Sequence, residues 1–408
     1  MATLLLVIIY LAFISLGLPD SLLGAVWPVM QTDFDAPLET AGLLFMTIAG
    51  GTIISSLVSG RILKRFGTGK VTFVSTLLTA GALLGFYFAP SIFWLFLCAI
   101  PLGLGAGAID AGLNDYVATH YKAHHMSWLH CFWGVGATLG PIIIAQYISE
   151  RNWGNGYLTI SCIQFVLALI LLFTLPLWNR VNSNNNLLIE NPENFKDGSY
   201  NEQAEKVKPL QINGVKLALT SFLFYCGAEA TMGLWGSSFL VNVKELSPAA
   251  AAKWVSLYYA GITIGRFITG FITFKINNLT LIRMGQIIAF AGAALLVLPL
   301  PSIFSLIGFI LVGLGLAPIF PCMLHETPAR FGKKDSQTIM GYQMAVAYTG
   351  STFMPPLLGF TASHLTISIF PFGIVVFVAA MFLSSEKLNS VLKKKGLAKT
   401  KDTSSAVW

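Results

Sequence analysis

Six polar side chains that water would ordinarily solvate lie deep inside apolar runs of this sequence: Asp20, Asp110, Asn114, His130, Glu229 and Arg266. Asp20 is the only charged residue between Leu4 and Met30, and it lies 13 residues before the next charge, Asp33. On a helix rising ~1.5 Å per residue that separation is about 20 Å, beyond the reach of so short a side chain. A carboxylate at the centre of a membrane span costs about 2.5–3.5 kcal/mol on insertion scales, so it must face protein or trapped water, be protonated part of the time, or do both. Pro19 frees a backbone carbonyl one turn earlier, and broken helices are tolerated at that depth where they line a cavity. The competing reading is a kink with a neutral, hydrogen-bonded carboxyl.

Asp110 and Asn114 are four residues apart and share one helix face. A carboxyl and an amide together offer donors and acceptors to a ligand rich in hydroxyls, and a carboxyl held away from water can take up and release a proton. Asp110 is therefore the first candidate for proton coupling, with Asp20 and Glu229 beside it. His130 enters at a similar depth and is expected either to bond Asp110 or to make a plain interhelical contact. Tyr225 and Glu229 again share a face, and Glu229 is expected to lie across a cavity from Asp20. Arg266, nine residues before Lys275, is too deep to be a loop charge and needs a carboxylate. Asp115, Glu326 and Glu229 are the candidates, for a gate or for a structural ion pair.

These residues sit in a chain built for lipid. Of 408 residues, 55% are hydrophobic and 11% are Asp, Glu, Lys or Arg, against about 25% charged in a soluble domain. Twelve apolar stretches are long enough to cross a bilayer: 3–30, 38–60, 71–89, 92–118, 127–149, 156–178, 213–242, 254–274, 281–300, 303–325, 337–360 and 367–384. The first lacks a basic leader and a small-residue cleavage pattern, so it reads as a retained helix and not a signal peptide. With both termini cytoplasmic, 21 of the Lys and Arg fall inside and three outside (Arg151, Lys244, Lys253), with Arg266 within a span. That asymmetry sets the orientation in a cell membrane. It also accounts for the net charge of +7 without a nucleic-acid partner. Five cysteines, all within spans, read as buried thiols and not as a disulfide framework. No GxxxxGK[ST] loop occurs, and His124 and His125 lack neighbours at ligand spacing, so neither nucleotide, cofactor nor metal is expected.

The chain divides at 181–212, where Asn, Glu and Lys replace large apolar residues and a cytoplasmic linker is expected. It separates a six-helix bundle over 1–180 from a second over 213–386, followed by a basic cytoplasmic tail over 387–408. The two bundles repeat one another. "GTIISSLVSGRI" (51–62) matches "GITIGRFITGFI" (261–272) at an offset of 210, and "LGLGAG" (102–107) matches "VGLGLA" (312–317) at the same offset. An offset of 209 pairs Asp20 with Glu229 and Gly24 with Gly233. Repeated halves of this kind place substrate and coupling ions where the repeats meet and alternate access by rocking.

Twelve spans as six plus six, with "GRILKRFGTGK" (60–70) between spans two and three, resemble the major facilitator superfamily. Gly60, Arg65, Gly67 and Lys70 match its loop motif, while Lys64 stands where the family has an aspartate that helps latch one state. Within the family, Asp20, "GAIDAGLND" (107–115), "YCGAEA" (225–230) and "GITIGRFITG" (261–270) are similar to the fucose-proton symporter branch, which includes glucose and mannose transporters. Asp110 replaces that branch's glutamate and His130 its glutamine. "GVGATLGP" (134–141) resembles an antiporter motif, but Ile142, Ile143 and Ile144 replace the paired glycines that follow it there.

The resemblance implies an all-α membrane protein of two pseudo-symmetric bundles, acting as a monomer without enzymatic activity. The expected function is import of a small polar solute, a hexose or related sugar, with a proton. Sodium is the alternative ion. An exporter of amphipathic compounds and a non-transporting receptor are the rival functions. Asp20, Asn114, His130, Trp133, Tyr225, Glu229, Trp235 and Tyr348 are the expected substrate contacts. Trp27 and Phe320 are further rings able to stack on a sugar. Arg266, Asp115, Glu326 and the loop residues are the expected gate or ion-pair set, and the prolines of "LAPIFP" (316–321) mark a bend.

Overall fold

Proline and glycine punctuate the helices much as the sequence implies. The structure is a computed structural model describing residues 2–121, 123–149, 152–189, 209–273 and 275–404. The first span is two helices, α1 (Ala2–Asp20) and α2 (Leu22–Asp33), interrupted at Ser21 directly after Pro19 and Asp20. The rest of the first half comprises α3 (Thr40–Phe66), α4 (Thr68–Tyr87), α5 (Ile92–His120), α6 (Ala123–Ser149) and α7 (Trp153–Ile189). Gly67 separates α3 from α4 with φ of 79°, a left-handed conformation that glycine adopts without strain. The second half begins with α8 (Val215–Asn242), α9 (Pro248–Ile272) and α10 (Asn278–Val297). Its tenth span is split at Ala317 and Pro318 into α11 (Ser302–Leu316) and α12 (Ile319–His325), the bend marked by "LAPIFP". Short α13 (Thr327–Phe331) leads to α14 (Lys333–His364) and α15 (Phe370–Ser404).

Eleven helical segments among the described residues are long and apolar enough to cross a membrane. The twelfth predicted span is α14, 32 residues long. Gln343, Tyr348, Thr349, Ser351 and Thr352 make it the least greasy of the set, in keeping with a helix that faces protein. Two predicted boundaries differ. Helix α7 runs past Trp178 to Ile189, because no glycine or proline intervenes to stop it, and α15 continues to Ser404 through the predicted tail. Residues 190–208 of the expected linker, 405–408 of the tail, and the basic residues Lys122, Arg151, Lys196, Lys206 and Lys208 lie outside the described residues.

Each half is locked by the same backbone crossing. A methyl on Gly103 would overlap the carbonyl of Ile48, and one on Gly313 the carbonyl of Tyr258; Gly51 sits on Ile100 and Leu104 as Gly261 sits on Ile310 and Leu314. Every member of the second set is the first shifted by 210 residues. Small residues at these points let α3 and α5, and likewise α9 and α11, approach to backbone contact. Likewise α1 packs on α6, with Gly136 on the Ile14 carbonyl, as α8 packs on α14, with Gly350 on that of Leu223.

The halves meet along α2 and α8, α3 and α14, and α6 and α9. At the end away from the chain termini the seam is tight. Gly24 lies on the carbonyl of its repeat partner Gly233, Gly42 lies on Pro356, and Ser237 Oγ donates to the Ala25 carbonyl at 3.1 Å. Trp27, Met30, Trp235 and Phe239 join one core there across both halves. At the terminal end the core of Leu5, Phe13, Leu113, Leu129 and Trp178 belongs to the first half alone. The polar contacts Tyr10–His125, Arg283–Glu386, Asn278–Glu326 and Arg330–Asn389 each stay within one half. Methyls on Gly60, Gly270 and Gly341 would meet nothing within 4 Å. A cleft between the halves is therefore open toward the terminal end, and Asp20, midway along its span, is exposed to it.

Candidate functional site

The break after Pro19 ends α1 at Asp20 and turns its carboxylate toward α6. Trp133 Nε1 donates to Asp20 Oδ2 at 2.8 Å. The opposite side of the same indole belongs to the second half: the Arg266 guanidinium lies over its ring at 5.6 Å, and Tyr259 meets it edge-on at 6.4 Å. Tyr259, Thr263 and Arg266 follow at helical spacing on one face of α9, and Thr263 packs on Gly134 of α6.

Arg266 donates through Nη2 to Glu229 Oε1 at 2.9 Å and to the Tyr225 hydroxyl at 3.4 Å. The two charged side chains are only 14% and 18% exposed. Tyr258 Oη donates to the Glu229 backbone carbonyl at 3.0 Å, which fixes the helix carrying the acid. Tyr225 is fully buried and tilts against Phe320 at 5.7 Å. Glu229 thus occupies the position related to Asp20 by the repeat, but it is held by a permanent cation. Removing one partner of such a withdrawn pair costs about 3–5 kcal/mol, because the other charge is left without compensation.

Asp110 forms a second polar cluster. Asn114 Nδ2 donates to Asp110 Oδ1 at 2.9 Å, as its spacing implies, and to the Asp110 carbonyl at 2.9 Å. Tyr348 Oη, from α14 of the other half, donates to Asp110 Oδ2 at 3.5 Å. Asp20 and Asp110 lie close enough for their charges to interact. Two carboxyls with only neutral hydrogen-bond partners among the described residues therefore face the cleft from the first half, and one carboxylate with a guanidinium faces it from the second.

This geometry selects among some expectations and revises others. His130 does not bond Asp110; its ring stands at 86° to Phe13 with centroids 6.0 Å apart. The partner of Arg266 is Glu229. Asp115 is exposed, and Glu326 serves Asn278 at 2.8 Å and Arg330 at 3.9 Å within its own half. Trp235 is wholly buried, stacked on Gly359 with Nε1 bonded to the Pro355 carbonyl at 2.8 Å, so it packs the second half and does not reach the cleft. Trp27 is likewise buried. Gly60, Arg65, Gly67 and Lys70 are exposed beside Lys64; Arg65 lies over Phe66 at 5.3 Å, and no ion pair among the described residues includes them. Tyr259 and Tyr258 were not anticipated, although Tyr259 lies seven residues before Arg266 on the same face and its hydroxyl fills the space a side chain at Gly233 would need.

Membrane-spanning helices in two like halves, with ionisable groups gathered around the cleft between them, define a transporter and not an enzyme. The profile of the Major Facilitator Superfamily matches residues 9–355, and the chain belongs to that family. It is 24% identical over 405 residues to Bypass of stop codon protein 6 of Saccharomyces cerevisiae, spanning 91% of this chain and 79% of the relative. It is 23% identical over 381 residues to the Glucose/mannose transporter GlcP of Bacillus subtilis, spanning 90% and 92%. Among solved structures, the inward-open xylose transporter XylE from E. coli matches with a TM-score of 0.73 and 12% identity over 96% of each chain.

Proposed function

We propose that the protein imports a hexose or related polyhydroxylated solute together with a proton, by alternating access, as a monomer in the cell membrane with both termini cytoplasmic. The observation that carries this reading is the pair Asp20 and Asp110, two carboxyls bonded, among the described residues, only by Trp133, Asn114 and Tyr348 and facing the cleft between the halves. The glucose and mannose specificity of the Bacillus relative supports the substrate class.

With the terminal end cytoplasmic, the present arrangement is open to the inside. From the outside, protonation of Asp20 or Asp110 would neutralise the cleft and favour sugar binding against Asn114 and Tyr348. The loaded cleft could then close without an unpaired charge, whereas an unpaired carboxylate would oppose closure by several kcal/mol. The proton and sugar would leave on the cytoplasmic side, and the empty protein would return.

Proteoliposomes with a pH dye inside, challenged with sugars and with lipophilic cations, test the assignment. Sugars are expected to acidify the lumen, and Asp110→Asn is expected to abolish accumulation while exchange remains measurable. Flux of lipophilic cations without sugar flux would overturn the import reading. Sugar flux that follows a sodium gradient and leaves luminal pH unchanged would replace the coupling ion.

A further inference from the structure

Trp133 touches both the unpaired acid of the first half and the ion pair of the second. Its N–H is committed to Asp20 and its ring face to Arg266, which in turn holds Glu229 and Tyr225. A sugar-stacking ring needs a free face, and one face of this indole already carries a guanidinium. The edge that would otherwise bond a ligand hydroxyl is occupied by the carboxylate. Helices α6 and α9, which bear Trp133 and Arg266, are in contact at Gly134 and Thr263, so a shift of the indole is transmitted directly to the seam.

We propose that Trp133 is a positioning residue that conveys the charge state of Asp20 to the Glu229–Arg266 pair, linking proton binding in one half to the set of the other. With Asp20 ionised, the indole is drawn to it by a charge-assisted bond and presents its face to Arg266. With Asp20 protonated, that bond reverts to a neutral one of roughly half the strength, and the indole is released from its place between the halves. The groups that act on Asp20 are Trp133 from α6, Asp110 from α5 and Tyr259 from α9; Arg266 from α9 lies over the indole and holds Glu229 of α8, while His130 of α6 meets Phe13 and Gln164 of α7 is bonded to Ser15. Among these only Trp133 makes direct contact with Asp20 and with the cation of the opposite half. The inference rests on the proton-symport reading but is tested separately from it.

Trp133→Phe keeps a ring beneath Arg266 and removes the N–H. Proton-driven accumulation is expected to fall about tenfold or more relative to sugar exchange, the effect of losing one hydrogen bond to a charged group. In the purified protein, a pH-dependent change in tryptophan emission is expected for the native chain and is expected to vanish in Trp133→Phe and in Asp20→Asn. A weaker half-saturation with the native ratio of accumulation to exchange would make Trp133 a sugar contact and overturn the proposal, as would an emission change that persists in Trp133→Phe. If the native protein moves no protons, symport fails. An emission change still lost in both variants would then preserve the Trp133 link by itself. Should Trp133→Phe not be recovered folded, Asp20→Asn carries the emission test: persistence of the change there overturns the link.

Discussion

Asp20 and Glu229 occupy one position of the repeat in two different chemical settings. In the first half the acid is met by an indole N–H; in the second it is met by a guanidinium and a phenol. The duplicated backbone therefore holds one carboxyl whose bonded partner is neutral and another that is held by a permanent cation. On the proposed mechanism, symmetry of fold supplies the rocking geometry, and asymmetry of partners supplies a direction in which charge can be used.

The strongest way to break the comparison is Arg266→Gln, which strands Glu229. A loss of about 3–5 kcal/mol of stability is expected, read as a large fall in the thermal midpoint of the purified protein, with much of it recovered in the Arg266→Gln, Glu229→Gln double variant. Equal melting of single and double variants would deny the pair its structural role. Next, Asp20→Asn should remove the pH dependence of uptake with little change in melting, while Glu229→Gln should lower the melting midpoint and leave the pH dependence; the opposite assignment would exchange the roles of the two halves. A smaller effect is expected at the seam. Gly233→Ala places a methyl in the Tyr259 hydroxyl and should cost about 1–3 kcal/mol through overpacking, whereas Gly270→Ala, with open space around it, should stay within about 0.5 kcal/mol in the same melting assay. The smallest change should come from Tyr348→Phe. Its 3.5 Å bond to Asp110 is long, and its loss should shift sugar half-saturation by no more than about tenfold.

Much of this arrangement was legible in the residues themselves. The offsets of 210 and 209, read from short glycine-bearing segments, reappear as twin crossings at Gly103 and Gly313 and as the meeting of Gly24 with Gly233. Pro19 and the pair Pro318 and Pro321 announced the breaks in the first and tenth spans, because a missing N–H acts locally. Asp110 and Asn114 bond as their spacing requires. Partner choice across helices was less legible. Arg266 had three acids within plausible depth, and only the rotation of α8 against α9 selects Glu229. Depth alone leaves His130 either a polar partner or an interhelical contact, and its edge-on meeting with Phe13 selects the second. The aromatic residues were hardest, because Trp133 and Trp235 look alike in sequence and are distinguished by whether a helix faces the cleft or Gly359.

The meeting of Gly24 with Gly233 has a consequence for how the far side opens. Where two helices touch through main chain, parting them bares peptide oxygens that water can bond at once, unlike the greasy walls of Trp27 and Trp235 nearby. Wetting at that point therefore meets the least resistance along the seam, and on the proposed mechanism the molecule holds its outer door shut with a contact that solvent itself can replace.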